Sequence, residues 1–263
     1  MMPKSKTIFD VGENGSTVKP QSEVYGRCEE LEQLRHRLAR RRSFLFHGPA
    51  GVGKTLLLSK VVSEFTGILY SYENSTPQLL YRNLAGSLLI ASHPVLATSC
   101  PNGLSSLQTK TSVSVKGLVR DAVHNFGHLV VLDHLQRPSQ SLADSVRELM
   151  VNCAVPVIAV SRSAHMEDVG FMLPLFPDRS EKFELRNFEA QAAASFASWC
   201  AAQQGLDAEN LDQFLVKIVH YSDGNPGAIQ RMIRMAKMPK CSSGGQIKTA
   251  PLYIDFKLAA LSQ

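Results

Sequence analysis

Short apolar runs alternate along this chain with stretches where apolar residues return every three or four positions. Leu31, Leu34 and Leu38 fall at i, i+3 and i+7, one stripe of a helix. Its other face carries Glu29, Glu30, Glu32, Arg35, Arg37 and Arg40. Ser43-Phe44-Leu45-Phe46-His47 ends at glycines and suits a buried strand. The pattern predicts a helix over 54–65, a second strand over Gly67–Tyr72 and a helix over 76–91. Residues 92–116 are dominated by Ser, Thr, Pro and Gly and read as a long loop. A helix over 117–126 leads to a third buried strand, His128–Leu132. A helix over Ser139–Asn152, a fourth strand over Val155–Val160 and a short fifth over Lys182–Leu185 follow.

Strands alternating with helices imply a parallel sheet with right-handed crossovers. After Phe188 the pattern is wholly helical, over 189–204, 208–221 and 226–237. The expected organisation is a flexible arm (1–22), an α/β core (23–187), a small helical subdomain (188–239) and a tail (240–263). The tail holds a Ser-Gly-Gly break and an expected strand over Leu252–Phe256.

Composition narrows the class. With 44% apolar and 19% charged residues, the chain is globular and able to bury a core. The five cysteines are scattered, with no pair at metal-ligand spacing. Zinc and a disulfide framework are therefore not expected, and a reducing cytoplasm fits. No apolar run approaches the ~20 residues of a membrane span, and the polar start argues against a signal peptide. A formal charge of +5 permits an acidic partner such as nucleic acid. Arg35, Arg37, Arg40, Arg41 and Arg42 form a cluster, and Lys110, Lys116 and Arg120 a looser group. Such cations contact the backbone of double-stranded DNA without reading sequence, or else form a solvated face.

Gly48-Pro49-Ala50-Gly51-Val52-Gly53-Lys54-Thr55 matches G-x-x-x-x-G-K-[ST] at every fixed position. It lies after an expected strand and before an expected helix, the context this motif needs. Its glycines let backbone amides, through Leu56, turn toward phosphate oxygens at a helix N-terminus. Lys54 then reaches the β- and γ-phosphates of ATP, and Thr55 offers a hydroxyl to Mg²⁺. A second Mg²⁺ anchor is expected on a neighbouring strand. Asp133, after Leu129-Val130-Val131-Leu132, stands at such a strand's C-terminal edge. His134 follows it, and Glu73 ends the second strand; either is a candidate to orient water.

Tyr25-Gly26-Arg27-Cys28-Glu29-Glu30-Leu31 resembles the box that precedes the phosphate loop in AAA+ ATPases and their STAND relatives. Gly224-Asn225-Pro226-Gly227-Ala228-Ile229 resembles the G-x-P motif of their helical lid. Val157–Arg162 resembles their sensor strand, and Phe183–Phe196 the junction into the lid. With the phosphate loop and Asp133, these come in the family's order between Val24 and Met235. The resemblance implies a P-loop NTPase three-layer α/β sandwich with a helical lid. It implies that Tyr25, Gly26, Arg27 and Pro226 flank the base and that Ser161 or Arg162 senses the γ-phosphate. Arg179 falls where AAA+ proteins carry an arginine finger acting on a neighbouring copy, which would make the working form a homo-oligomer. The sequence departs from the family at His134, where many such ATPases have the glutamate that polarises water. It departs again at Gly227 and Ala228, where the lid has its sensor arginine; Arg231 and Arg234 are nearby. Small AAA+ proteins of this outline resemble transposition regulators and helicase loaders, which implies a separate effector protein.

Leu129–Gln136 and Val155–Ser161 are also similar to RecA-like helicases and clock-type ATPases. In that class the catalytic glutamate lies where Glu73 lies. The expectation is an ATP-dependent switch or assembly factor of the AAA+/STAND type. A RecA-like DNA-dependent ATPase, or a nucleotide-binding interaction module with little hydrolysis, is the alternative.

Overall fold

A computed structural model describes residues 24–72, 74–124 and 127–261. They fall into two compact units. The first takes Glu29–Gly48 and Lys54–Glu184; the second takes Val24–Cys28, Pro49–Gly53 and the chain from Leu185 onward.

The first unit is an α/β layer structure. Its elements are α1 (Cys28–Ala39), β1 (Phe44–His47), α2 (Lys54–Val62), β2 (Ile68–Ser71) and α3 (Pro77–Ile90). Then come α4 (Pro94–Ser99), α5 (Leu104–Thr109), α6 (Ser112–Val123), β3 (Leu129–Leu132) and α7 (Gln140–Asn152). β4 (Val157–Ser161), α8 (Met166–Val169) and β5 (Lys182–Glu184) complete it. The five strands are all parallel, in the order β2-β3-β4-β1-β5. The strand bearing Asp133's predecessor is thus separated from β1 by β4. Both faces of the sheet are buried, which is why its strands read as unbroken apolar runs. Leu45, Leu69, Val130, Leu132, Val157 and Ala159 join one core with α3, α6 and α7. The alternating set Phe44, Phe46, Val131, Ile158 and Val160 is equally buried. On that side Phe46 stacks on Phe183 at 5.2 Å, and Arg37 of α1 lies over Phe44 and Phe183.

Residues 92–116 correct the sequence reading. They form α4, α5 and the start of α6 rather than a long loop. Pro94 occupies the first turn of α4, and Thr111 caps α6 by accepting from the Ser114 N–H at 3.2 Å. The polar residues that suggested a loop are caps and outer faces, while Leu96, Leu107 and Val115 enter the core.

The second unit holds α9 (Ala190–Gln203), α10 (Leu211–Ser222), α11 (Pro226–Ala236), a hairpin of β6 (Ser242–Ser243) and β7 (Gln246–Ile247), and α12 (Thr249–Leu261). Phe188, Phe196, Phe214, Ile218, Ile229, Met232 and Ile233 lie in its core. The expected strand over Leu252–Phe256 is instead part of α12. Leu252 and Phe256 reach this core while Ile254 between them is 58% exposed, a spacing that a helix gives and the two-residue alternation of a strand does not. Among the described residues, no helix is long and apolar enough to cross a membrane.

Candidate functional site

In the first unit, α2 begins at Lys54 and β3 ends just before Asp133, which brings three expected site residues together. The Thr55 hydroxyl donates to Asp133 Oδ2 at 2.9 Å. Asp133 is only 1% exposed, and its Oδ1 accepts from the His134 N–H at 2.8 Å. A second donor reaches Oδ2, the Tyr70 hydroxyl of β2 at 2.5 Å. Asn74 Nδ2 donates to the carbonyls of Ser71 and Asp133, tying the ends of β2 and β3.

Lys54 Nζ donates to the Gly48 carbonyl at 2.6 Å. Burial pushes the Lys54 ammonium down to about 8; Asp133 and Asp168 oppose this and Arg162 adds to it. Burial disfavours the charged form, so an incoming anion would stabilise this ammonium. Asp133 and Thr55 fit a divalent cation: a buried carboxylate accepts the threonine proton, which leaves hydroxyl lone pairs to act as ligand.

His134 has φ +55, a left-handed conformation, and its side chain is 61% exposed with Nε2 3.7 Å from Asp133 Oδ2. Ser161 is buried, and its hydroxyl donates to the Ser163 carbonyl at 2.5 Å. Arg162 is exposed. Arg179 is exposed in a short turn of 3-10 helix, Arg179–Glu181. Glu73 lies outside the described residues.

The second unit gathers the remaining expected residues. Tyr25 packs on Phe196 and Trp199, with ring centroids 5.5 and 5.2 Å away. Arg27 is buried, donates to the Arg186 carbonyl at 2.6 Å and lies over the Phe188 ring at 4.1 Å. These contacts give Arg27 a packing role. Pro226 is the first residue of α11, and Asn225 caps the helix by accepting from the Ala228 N–H at 3.0 Å. The other end of Asn225 donates to the Ala50 carbonyl at 2.9 Å and to Asn187 Oδ1 at 3.1 Å. The Gly227 N–H donates to the Gly51 carbonyl at 3.0 Å. Gly51, at φ +79, turns the loop where a side chain would be strained. Arg231 lies over Phe256 at 5.7 Å, and Arg234 is exposed.

Tyr70, Asn74 and the dual role of Asn225 were not identified from sequence as site residues. A hydroxyl in the apolar run Ile68-Leu69-Tyr70 was the one signal for Tyr70, since a buried phenol needs a partner. The basic cluster is largely committed. Arg35 pairs with Glu64 at 2.7 Å and Glu32 at 2.6 Å. Arg37 donates to the Ser180 carbonyl, and Arg41 to those of Gly127 and Thr66. Lys116 and Arg120 both pair with Glu148. Arg40 and Arg42 are exposed.

The comparisons with known proteins agree on architecture. A Walker-type ATPase of Pyrococcus abyssi superposes with a TM-score of 0.65 at 15% identity, covering 91% of this chain and 74% of that one. A RuvB mutant of Thermotoga maritima gives 0.50 at 13% identity, covering 89% and 67%. A STAND protein of Pyrococcus horikoshii with a tetratricopeptide repeat sensor gives 0.51 at 14% identity. That match covers 91% of this chain but 33% of the larger protein. No protein-family model matches the sequence, and no curated protein is significantly similar to it. The fold is that of the P-loop ATPases, the architecture shared by AAA+ and STAND proteins.

Proposed function

We propose that this chain is an ATP-binding P-loop ATPase of the AAA+/STAND kind that works as a nucleotide-dependent switch or assembly factor. The observation that carries this reading is the Thr55–Asp133 hydrogen bond, formed between the residue closing the G-x-x-x-x-G-K-T motif and the carboxylate after β3. The amides of the Gly48–Leu56 segment hold the phosphates, Lys54 neutralises them, and Thr55 and Asp133 hold Mg²⁺. Bound Mg²⁺ offsets phosphate charge at the γ-phosphoryl group. By the family resemblance Tyr25, Gly26 and Pro226 would flank the base, and Ser161 or Arg162 would read the γ-phosphate.

Turnover is slow in this reading. His134 stands where many ATPases of the resembled family have a glutamate, and its exposed imidazole replaces the carboxylate that would polarise water. The RecA-like alternative assigns that role to Glu73. Arg179 on its exposed turn serves a neighbouring copy, and Arg40 and Arg42 supply the cations for a DNA backbone. A separate effector protein acts downstream.

The test is binding of a fluorescent ATP analogue, followed by steady-state hydrolysis with and without double-stranded DNA. Wild type binds, and Lys54→Ala loses affinity; unchanged affinity in Lys54→Ala overturns the reading. Loss of turnover in His134→Ala supports the AAA+/STAND assignment, and loss only in Glu73→Gln moves the chemistry to the RecA-like position. Nucleotide binding with no turnover under any condition identifies an interaction module.

A further inference from the structure

Asp133 is held by more than the phosphate loop. Its Oδ1 is engaged by the N–H of its own successor, a local contact. Its Oδ2 receives two hydroxyl protons, from Thr55 on α2 and Tyr70 on β2. The Tyr70 donor is anchored by the sheet. Tyr70 lies opposite Val131 in the parallel β2–β3 pair, two residues before Asp133. Its backbone carbonyl accepts from Ser87 Oγ at 3.3 Å, and its ring packs on Tyr72 with centroids 4.4 Å apart. Tyr70 is 4% exposed, so its phenol has little freedom to turn away.

The direction of these bonds matters. Thr55 presents its lone pairs outward only while its proton points to Oδ2. That requires the carboxylate to stay in one orientation. With Tyr70 removed, Oδ2 keeps only Thr55 and Oδ1 only the local His134 N–H, so the carboxylate is held less firmly against rotation about its Cβ–Cγ bond. Groups that orient a metal's ligands in this way strongly influence metal affinity.

We propose that Tyr70 is a positioning residue that locks the Asp133 carboxylate for the Mg²⁺–nucleotide complex and so sets the Mg²⁺ requirement of this protein. The inference rests on the ATP-binding reading above. Tyr70 touches neither the nucleotide nor the reacting atoms in this role; it acts through Asp133.

The experiment titrates Mg²⁺ into the full chain with a fluorescent ADP analogue, for wild type and Tyr70→Phe. Phenylalanine keeps the ring and removes only the hydroxyl. Nucleotide affinity in EDTA is expected to stay within about twofold of wild type, while the Mg²⁺ concentration for half-maximal enhancement rises about tenfold. A purely structural tyrosine predicts a lower melting temperature, weaker binding in EDTA and an unchanged Mg²⁺ midpoint; that result overturns the inference. A double-mutant cycle gives an independent check. Tyr70→Phe added to Asp133→Asn leaves the midpoint where Asp133→Asn alone puts it, and full additivity overturns the inference. If wild type binds no nucleotide, the ATP reading itself falls. If wild type binds with Mg²⁺ enhancement and Tyr70→Phe matches it, only the role of Tyr70 falls.

Discussion

Asn225 donates to the Ala50 carbonyl while the same side chain caps α11, so one residue fastens the phosphate-loop segment to the start of that helix. Removing it costs both bonds, and the one to Asn187 Oδ1 as well. Asn225→Ala is expected to lower the unfolding free energy by about 1–2 kcal/mol, the range for a lost N-cap. Urea denaturation measures this directly. A loss below about 0.3 kcal/mol would show that water replaces both contacts.

Gly227 makes the neighbouring contact, and its lack of a side chain is required there. A Cβ would lie 2.7 Å from the Gly51 carbonyl oxygen and 2.9 Å from Gly51 Cα. Alanine gains about 1 kcal/mol of helix propensity over glycine. Forcing two backbones apart costs about 1–3 kcal/mol. Gly227→Ala is therefore expected to be destabilising on balance, and the Gly227 N–H bond to Gly51 lengthens. Thermal unfolding and amide exchange at Gly227 check the two halves of this prediction.

Lys54 has a pH signature. Its folded-state pKa is lowered to about 8 by burial, below the value of about 10.4 in an unfolded chain. Between those values the unfolded chain binds more protons, so stability rises with pH across that window. Below pH 8 the handicap of the buried charge is fully present. Lys54→Met removes it. The variant is expected to be more stable than wild type at pH 7, and the gap narrows as pH rises from about 8 toward 10. Denaturation curves of both proteins across that range test this, and nucleotide affinity falls in the same variant.

Residues 92–116 offer a contrast between two apolar side chains. Leu107 is 4% exposed and Val113 is 83% exposed. Leu107→Ala is expected to cost about 2–4 kcal/mol, as for a buried leucine. Val113→Ala is expected to stay within about 0.5 kcal/mol of wild type. Two silent substitutions would restore the loop reading of this segment.

The α/β core was legible because parallel strands buried on both faces leave unbroken apolar runs, such as Leu129–Leu132 and Val157–Val160. The approach of Thr55 to Asp133 was legible as well, since a phosphate loop and a carboxylate after the buried run Leu129–Leu132 leave fixed sequence marks. Helices α4 and α5 were hidden because each is under two turns long and is built from residues that also make loops. The tail was misread because Leu252–Phe256 is apolar but for Asp255, and periodicity cannot separate strand from helix in so short a run. Tyr70 was hidden because its partner, Asp133, lies 63 residues away. The arginine cluster was legible only in part. Its charge was visible, but the Glu64 carboxylate and the backbone carbonyls that hold Arg35, Arg37 and Arg41 were not.

The outermost strand beside β1 has a further consequence. β5 is three residues long, and Lys182 and Glu184 flank its single buried phenylalanine. An open strand margin is a template for aggregation when it is long, flat and apolar. This one offers a newcomer almost no ladder to zip onto, and it places an ion at each end of the attempt. Fibre-like growth along that margin is thereby discouraged.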